Sequence, residues 1–245
     1  MRKNFSLRER IELGEELGIK KADAEWLWDF GMRRGSIVSI EDGSGRWYRA
    51  RVLELREEEV LVKVFEEMAG KVESDLFLIL VQAVPNKERM ELIIEKAVEL
   101  GVDIIQPIFS VRSYRIIDLP QGKWHKWQER ARRASEQSRR GIVPRVLVPV
   151  GLEEGIKRCE GVELKLVCNE REKGVNLREV LERNQGVKSC AIAVGPEGGF
   201  SQEEVGFLER EGFISVSLGG RILRTETSAI VGIGILGFYL GGISE

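Results

Sequence analysis

Beyond residue 75 the apolar positions of the chain alternate between short continuous runs and runs spaced three and four residues apart. Residues 76–84 are almost unbroken apolar, as a strand buried on both faces should be. Asn86 can cap a helix in which Met90, Ile93, Ile94, Ala97 and Leu100 recur at helical spacing, and Gly101 stops it. Residues 102–109 read as a strand broken by Pro107, and residues 123–139 as a long polar helix. Three further strands are predicted at 164–168, 190–194 and 214–218, with helical segments at 176–183 and 201–211. This alternation predicts the α/β class: a parallel sheet with helices on both faces. In open sheets of that type, ligands bind beyond the carboxyl ends of the strands.

The first 70 residues follow a different rhythm. Residues 36–40 run into Asp42-Gly43-Ser44-Gly45, a hairpin signal, and residues 47–55 return from it. Glu57, Glu58 and Glu59 form a solvated turn before a strand at 60–65. Short strands at this spacing predict a small β-barrel over residues 1–70, closed by residues from the first 35. An α/β domain is expected over residues 71–245. Barrels of this size host many functions, so the first domain identifies none by itself.

Composition removes several classes. A net charge of -2 with 32% charged residues is a globular, cytoplasmic signature rather than that of a basic nucleic-acid arm. The longest apolar run, residues 230–240, is interrupted by Gly232, Gly234 and Gly237 and falls short of the roughly 20 residues of a membrane span. No apolar stretch of a signal peptide follows Met1-Arg2-Lys3, so neither secretion nor membrane association is expected. Cys159, Cys168 and Cys190 are odd in number and widely spaced, which points to reduced thiols and to no metal site.

The chemistry concentrates in two glycine-rich segments. AVGPEGGF ends one predicted strand, and LGGRILRTET follows the next. Gly195, Gly198 and Gly199 permit positive φ and close approach of a ligand. Two such loops side by side would line a pocket with backbone N–H and C=O groups. Neither fits a Walker sequence, and GPEGG is not the GxGxxG of a dinucleotide fold. Glu197 would repel a pyrophosphate, whereas S-adenosylmethionine offers a sulfonium, a ribose diol and an adenine edge. A plain β-to-α turn explains GPEGG alone equally well.

The combination is more specific. GPEGGFSQEEV followed by LGGRILRTETSAI resembles the signature of the RsmE family, the 16S ribosomal RNA uridine N3-methyltransferases of the SPOUT superfamily. NKERMELIIEKAVELGVDIIQPIFSVRS and KWHKWQERARRASEQSRRGIVP resemble upstream segments of the same family, in the same order. The resemblance implies a PUA-like, RNA-binding first domain and a SPOUT methyltransferase domain with a deep trefoil knot that holds S-adenosylmethionine. It also implies a homodimer with the cofactor pocket at its interface, and ribosomal RNA or the small ribosomal subunit as substrate. Carried over by position, the cofactor residues are Asn169 and Glu170; Gly195, Pro196, Glu197, Gly198 and Gly199; and Leu218, Gly219, Gly220, Ile222 and Leu223. Arg221 and Arg224 are the candidates for stabilising the uridine anion, with Glu197 the weaker candidate for accepting its proton. A salt bridge from either arginine to Glu197 or Glu226 is the structural alternative.

RNA contact is expected from Arg112, Arg115, Arg132, Arg133, Arg139 and Arg140. Residues 123–145 carry eight Lys and Arg against Glu129 and Glu136, an imbalance hidden in the near-neutral chain. A solvated helix face is the plain alternative. His125, the only histidine, lies within a polar helix and is expected at its surface. The chain departs from the family at residues 25–35, EWLWDFGMRRG, which lack the usual His and Val-Leu-Arg, and at Gly220, where a Pro is usual. Two other readings share these motifs: a methyltransferase of the superfamily acting on another RNA position, and a non-catalytic RNA-binding module.

Overall fold

A computed structural model describes residues 10–20, 33–70, 73–114 and 125–241, with His125 described by its backbone alone. Arg115 and most of the divergent stretch at 25–35 lie outside the described residues. The chain forms two compact units, one of Met1–Glu73 with Ser135–Val143, the other of Ser74–Ala134 with Pro144–Glu245.

The first unit holds strands β1 (Glu16–Lys20), β2 (Ile37–Glu41), β3 (Trp47–Leu55) and β4 (Glu59–Met68). They form one antiparallel sheet in the order β1-β4-β3-β2, so among the described residues β1 and β2 are its edges. Alternation works as a half-buried sheet demands: Val60, Val62 and Val64 pack with Ile19, Ile40, Tyr48 and Val52, while Lys63 and Phe65 point outward. Register shifts at Arg49/Ala50 and Val52/Glu54 bend the long β3–β4 pair. The hairpin signal is an aspartate turn. Asp42 Oδ1 accepts from Ser44 N at 2.8 Å, Ser44 Oγ at 2.6 Å and Arg46 N at 3.1 Å.

The second unit is the expected parallel sheet. Its strands are β5 (Phe77–Ala83), β6 (Ile104–Phe109), β7 (Arg145–Val146), β8 (Val150–Gly151), β9 (Leu164–Cys168), β10 (Ser189–Val194) and β11 (Ile214–Val216). The order is β11-β9-β10-β5-β6-β7, with β8 also pairing β6. Helices α1 (Lys87–Glu99), α2 (His125–Gln137), α3 (Leu152–Ile156), α4 (Leu177–Arg183), α5 (Gln202–Arg210) and α6 (Thr225–Leu240) connect and follow them. Two separate cores show that both faces are covered. Leu78, Leu80, Cys190 and Ile192 pack with Ile93 of α1, Ala131 of α2, Leu181 of α4 and Ile233 of α6. Their sheet neighbours Ile79, Val81, Ala191 and Ala193 pack instead with Ile156 of α3 and Leu208 of α5.

Local chemistry fixes the helix ends. Asn86 caps α1 by accepting from Arg89 N at 3.0 Å, and Asn176 caps α4 by accepting from Arg178 N at 3.0 Å. Pro107 does not break β6, contrary to the sequence expectation. On one side β7 pairs with Ile104 and Ile105 and β8 with Ile108 and Phe109, leaving Pro107 opposite the gap between them. A missing N–H costs little there. The side chain of Gln106 spans that gap, donating to Val148 O at 3.1 Å.

Helix α6 packs Ala229, Ile233 and Leu236 into the core, and Gly232 lies directly on Ile192. Phe238 on the same helix is 62% exposed. No helix among the described residues is long and apolar enough to cross a membrane.

Candidate cofactor and RNA site

Because β9, β10 and β11 run parallel and adjacent, the loops that leave them emerge at one edge of the sheet. Those loops enclose a cavity of about 150 Å³. Asn169 and Glu170 line it from the first loop, Gly195 to Gly199 from the second, and Leu218, Gly219, Arg221, Ile222 and Leu223 from the third. Gly220 belongs instead to a neighbouring cavity shared with Glu172, Asn176 and Ile235. Ser217, Thr225 and Ser228 also line the first cavity, and sequence reasoning missed all three.

The middle loop is shaped by steric exclusion. A Cβ on Gly195 would lie 2.8 Å from Phe200 N, closer than side-chain carbons tolerate. Gly199 adopts φ +65, and its N–H returns to Pro196 O at 2.9 Å to close the turn. Ser201 then starts α5 with a capping box: Ser201 Oγ accepts from Glu204 N, and Glu204 Oε2 accepts from Ser201 N at 2.8 Å. The second oxygen of Glu204 accepts from Val111 N at 2.7 Å, which ties the loop after β6 to the same turn. Arg112, one residue further on, donates through Nη1 to Gly198 O at 2.7 Å.

A buried polar chain joins the middle loop to α6. Gln82, fully buried in β5, donates through Nε2 to Thr225 Oγ1 at 3.1 Å and to Ala83 O at 2.9 Å. The Thr225 hydroxyl donates in turn to Gly195 O at 2.6 Å. A glutamine in an otherwise apolar strand was the available signal for this link.

The carboxylates of Glu197 and Glu226 pair with neither Arg221 nor Arg224, the salt bridges that stood as the structural alternative. Glu197 Oε1 accepts from Asn86 N at 3.0 Å and pairs with Arg89 Nη1 at 3.0 Å. Arg89 Nε also lies 3.6 Å from Glu226 Oε2. Both carboxylates thus face Arg89, a residue the motif reading passed over. Arg221 and Arg224 are exposed, and among the described residues their guanidiniums make no hydrogen bond or ion pair; the carbonyl of Arg224 accepts from Ser228 N at 2.8 Å.

Residues 72–237 match a family model described as an RNA methyltransferase domain. The ribosomal RNA small subunit methyltransferase E of Buchnera aphidicola subsp. Schizaphis graminum is 30% identical over 96% of this chain and 95% of its own. The chain belongs to the ribosomal RNA small subunit methyltransferase E family. The relative of that name from Aquifex aeolicus is 30% identical over 83% of this chain and 95% of its own. A crystal structure of the Neisseria gonorrhoeae methyltransferase E, bound to S-adenosyl methionine, matches with a TM-score of 0.70 at 29% identity, covering 98% of both chains.

Of the basic residues that the family resemblance assigned to RNA, two are turned inward. Arg140 and Glu73 form a two-pronged pair at 2.8 and 3.2 Å, with only 3% of each side chain exposed. Glu73 Oε1 also accepts from Gly141 N at 2.9 Å, so this pair organises its own segment. Arg132 is likewise buried and pairs with Glu129 at 2.7 Å. A buried guanidinium already held by a carboxylate is less available to a phosphate than an exposed one. Arg133 and Arg139 remain 73% and 63% exposed at the side chain, with carboxylate contacts to Glu129 and Glu66. Arg139 also holds φ 61, the only non-glycine residue among those described with positive φ.

Proposed function

We propose that this protein is a S-adenosylmethionine-dependent methyltransferase that acts, as a homodimer, on N3 of a uridine in 16S ribosomal RNA. The observation that carries this reading is the cavity at the carboxyl ends of β9, β10 and β11, walled by glycine-loop backbone, with Arg221 on its rim and Arg224 close behind in sequence. The donor set suits the cofactor. Backbone groups of residues 195–199, 218, 219 and 221–223 can read an adenine edge, and Glu170 and Glu197 supply negative charge to a cavity that would receive a sulfonium. When bound, S-adenosylmethionine supplies a methyl group already activated for transfer.

The protein's share is alignment and charge. Holding two reactants in line accounts for much of the acceleration when the leaving group is already good. Loss of the uridine N3 proton to solvent leaves an anion, and an unpaired guanidinium is suited to stabilise it. Arg221 and Arg224 have that freedom. Glu197 is already engaged, its Oε1 accepting the Asn86 N–H and facing Arg89. Its part is to fix the loop to the start of α1.

The finer elements of the reading have their own support. The chain passes from β9 to β10, returns past β9 to β11, and then sends α6 back over β10 and β5, an arrangement consistent with a trefoil knot. Phe238, Tyr239 and the 87% exposed Ile222 leave apolar surface for a second copy. Of the arginines expected to contact RNA, Arg112, Arg133 and Arg139 keep solvent access among the described residues.

Methylation of naked ribosomal RNA, the assembled small subunit and transfer RNA, run in parallel, tests the substrate. Methyl transfer confined to transfer RNA or to another base would redirect the reading, and no S-adenosylmethionine binding by calorimetry would end it. Arg221→Ala and Arg224→Ala should each slow single-turnover methylation by ~10²-fold or more. If both leave it unchanged, the anion-stabilising role is wrong.

A further inference from the structure

We propose that Arg89 is a positioning residue that keeps Glu197 and Glu226 from capturing Arg221 and Arg224, holding those two cations open for RNA. The inference rests on the methyltransferase reading and concerns the same site.

Three observations carry it. First, Arg89 stands where a cation is locally unfavourable. It is the third residue of α1, in a first turn whose exposed N–H groups favour negative charge. A residue that breaks a local rule calls for a compensating partner elsewhere. Here the partners come from two other elements: Glu197 from the loop after β10, and Glu226 from the first turn of α6.

Second, Glu226 needs the cation. The Glu226 side chain is 13% exposed, and its Oε2 is buried without a hydrogen bond. Arg89 Nε, at 3.6 Å, is beyond hydrogen-bond range and neutralises it through charge alone. A buried carboxylate left without a counter-charge is strongly destabilised.

Third, the replacement cations are close in sequence. Arg224 is two residues before Glu226, and Arg221 lines the same cavity as Glu197. Without Arg89, two uncompensated carboxylates would sit beside two unpaired guanidiniums. Their pairing would close the gap in charge and withdraw the arginines from RNA. With Arg89 present, both guanidiniums stay exposed.

The test compares wild type, Arg89→Met, Arg89→Lys and the double variant Arg89→Met/Glu226→Gln, which leaves the cofactor cavity untouched. Each is assayed for S-adenosylmethionine affinity by calorimetry and for methylation kinetics on small-subunit RNA. Arg89→Met should bind cofactor within about threefold of wild type yet lose tenfold or more in kcat/KM for RNA. Arg89→Lys should retain most activity, and the double variant should regain about threefold or more over Arg89→Met, because the buried carboxylate then no longer captures an arginine. Wild-type rates in Arg89→Met overturn the proposal. So does a double variant as slow as the single one, which would make the role steric, or a tenfold loss of cofactor affinity. If Arg89→Met does not fold, an inactive but folded double variant overturns it equally. A wild-type protein that neither binds cofactor nor methylates RNA would instead sink the underlying methyltransferase reading.

Discussion

The hydroxyl of Thr225 donates a 2.6 Å hydrogen bond to the carbonyl oxygen of Gly195. It joins the first residue of α6 to the first residue of the GPEGG loop, and Gln82 holds the hydroxyl from behind at 3.1 Å. With the rotor fixed on its acceptor, the start of α6 and the segment before it are held against the middle loop. Arg224, which precedes Thr225, is placed by the same bond.

Thr225→Val keeps the shape and removes the donor. Gly195 O and Gln82 Nε2 then lose a partner inside the fold, which should cost about 1–3 kcal/mol of stability. Cofactor affinity should fall as well, since the cavity wall loosens. Thr225→Ser retains the hydroxyl and should recover most of both. Thermal melts and calorimetry on the two variants check this, and equal behaviour of Val and Ser would show the bond to be incidental.

Gly195→Ala tests the same wall from its steric side. Its methyl would meet Phe200 N at 2.8 Å, backbone that cannot yield without moving the capped start of α5. Overpacking of this kind typically costs about 1–3 kcal/mol, and the displaced loop should lose S-adenosylmethionine binding. Gly220→Ala is the control. A Cβ there meets nothing within 4 Å, and Gly220 does not line the cavity. Calorimetry should show binding abolished in the first variant and kept in the second.

The parallel sheet and its loops were legible because they depend on runs and punctuation. Residues 164–168 read as a strand and are one, and Asn86, Asn176 and Ser201 announced helix starts that their side chains do cap. Pro107 misled because its effect depends on where the neighbouring strands stop, which no local pattern records. The two-residue strands β7 and β8 are too short to carry a period. At the site, the glycines could be read because their spacing is local. The partners of Glu197 could not, since Arg89 and Asn86 lie more than a hundred residues earlier in the chain. The burial of Arg132 and Arg140 was illegible for a similar reason: a run of arginines looks alike whether its members face water or Glu73 and Glu129.

That last distinction predicts divergent mutants within one basic segment. Glu73→Gln removes the carboxylate that faces the buried Arg140 and should cost about 3–5 kcal/mol, seen as a lowered melting temperature. Arg133→Ala and Arg139→Ala should barely change stability, because pairs this exposed contribute about 0–1 kcal/mol. Each should instead reduce the slope of log affinity for RNA against log salt by roughly 1. An unchanged salt slope in both would remove this segment from the RNA-binding surface.

The cysteines give a pH signature of their own. Burial pushes the thiols of Cys159, Cys168 and Cys190 up from an ordinary value near 9 to about 12, with Lys165 opposing this at Cys159 and Cys159 adding to it at Cys190. In a thiol titrating at about 12 the thiolate is on the order of one part in 10⁴ at pH 8, and only the thiolate attacks. The folded protein should therefore resist Ellman's reagent at pH 7.5, and the unfolded chain should react at all three sites. Cys168 lines the cavity and is only partly buried, so it should be the first to label as pH rises, and S-adenosylmethionine should slow it. The same shifts fix the sign of the alkaline limit. Between pH 9 and 12 the folded chain still holds protons that the unfolded chain has released, so stability must fall with rising pH across that window. Rapid labelling of the native protein at pH 7.5, or an alkaline arm unchanged when all three cysteines are replaced by alanine, would contradict this account.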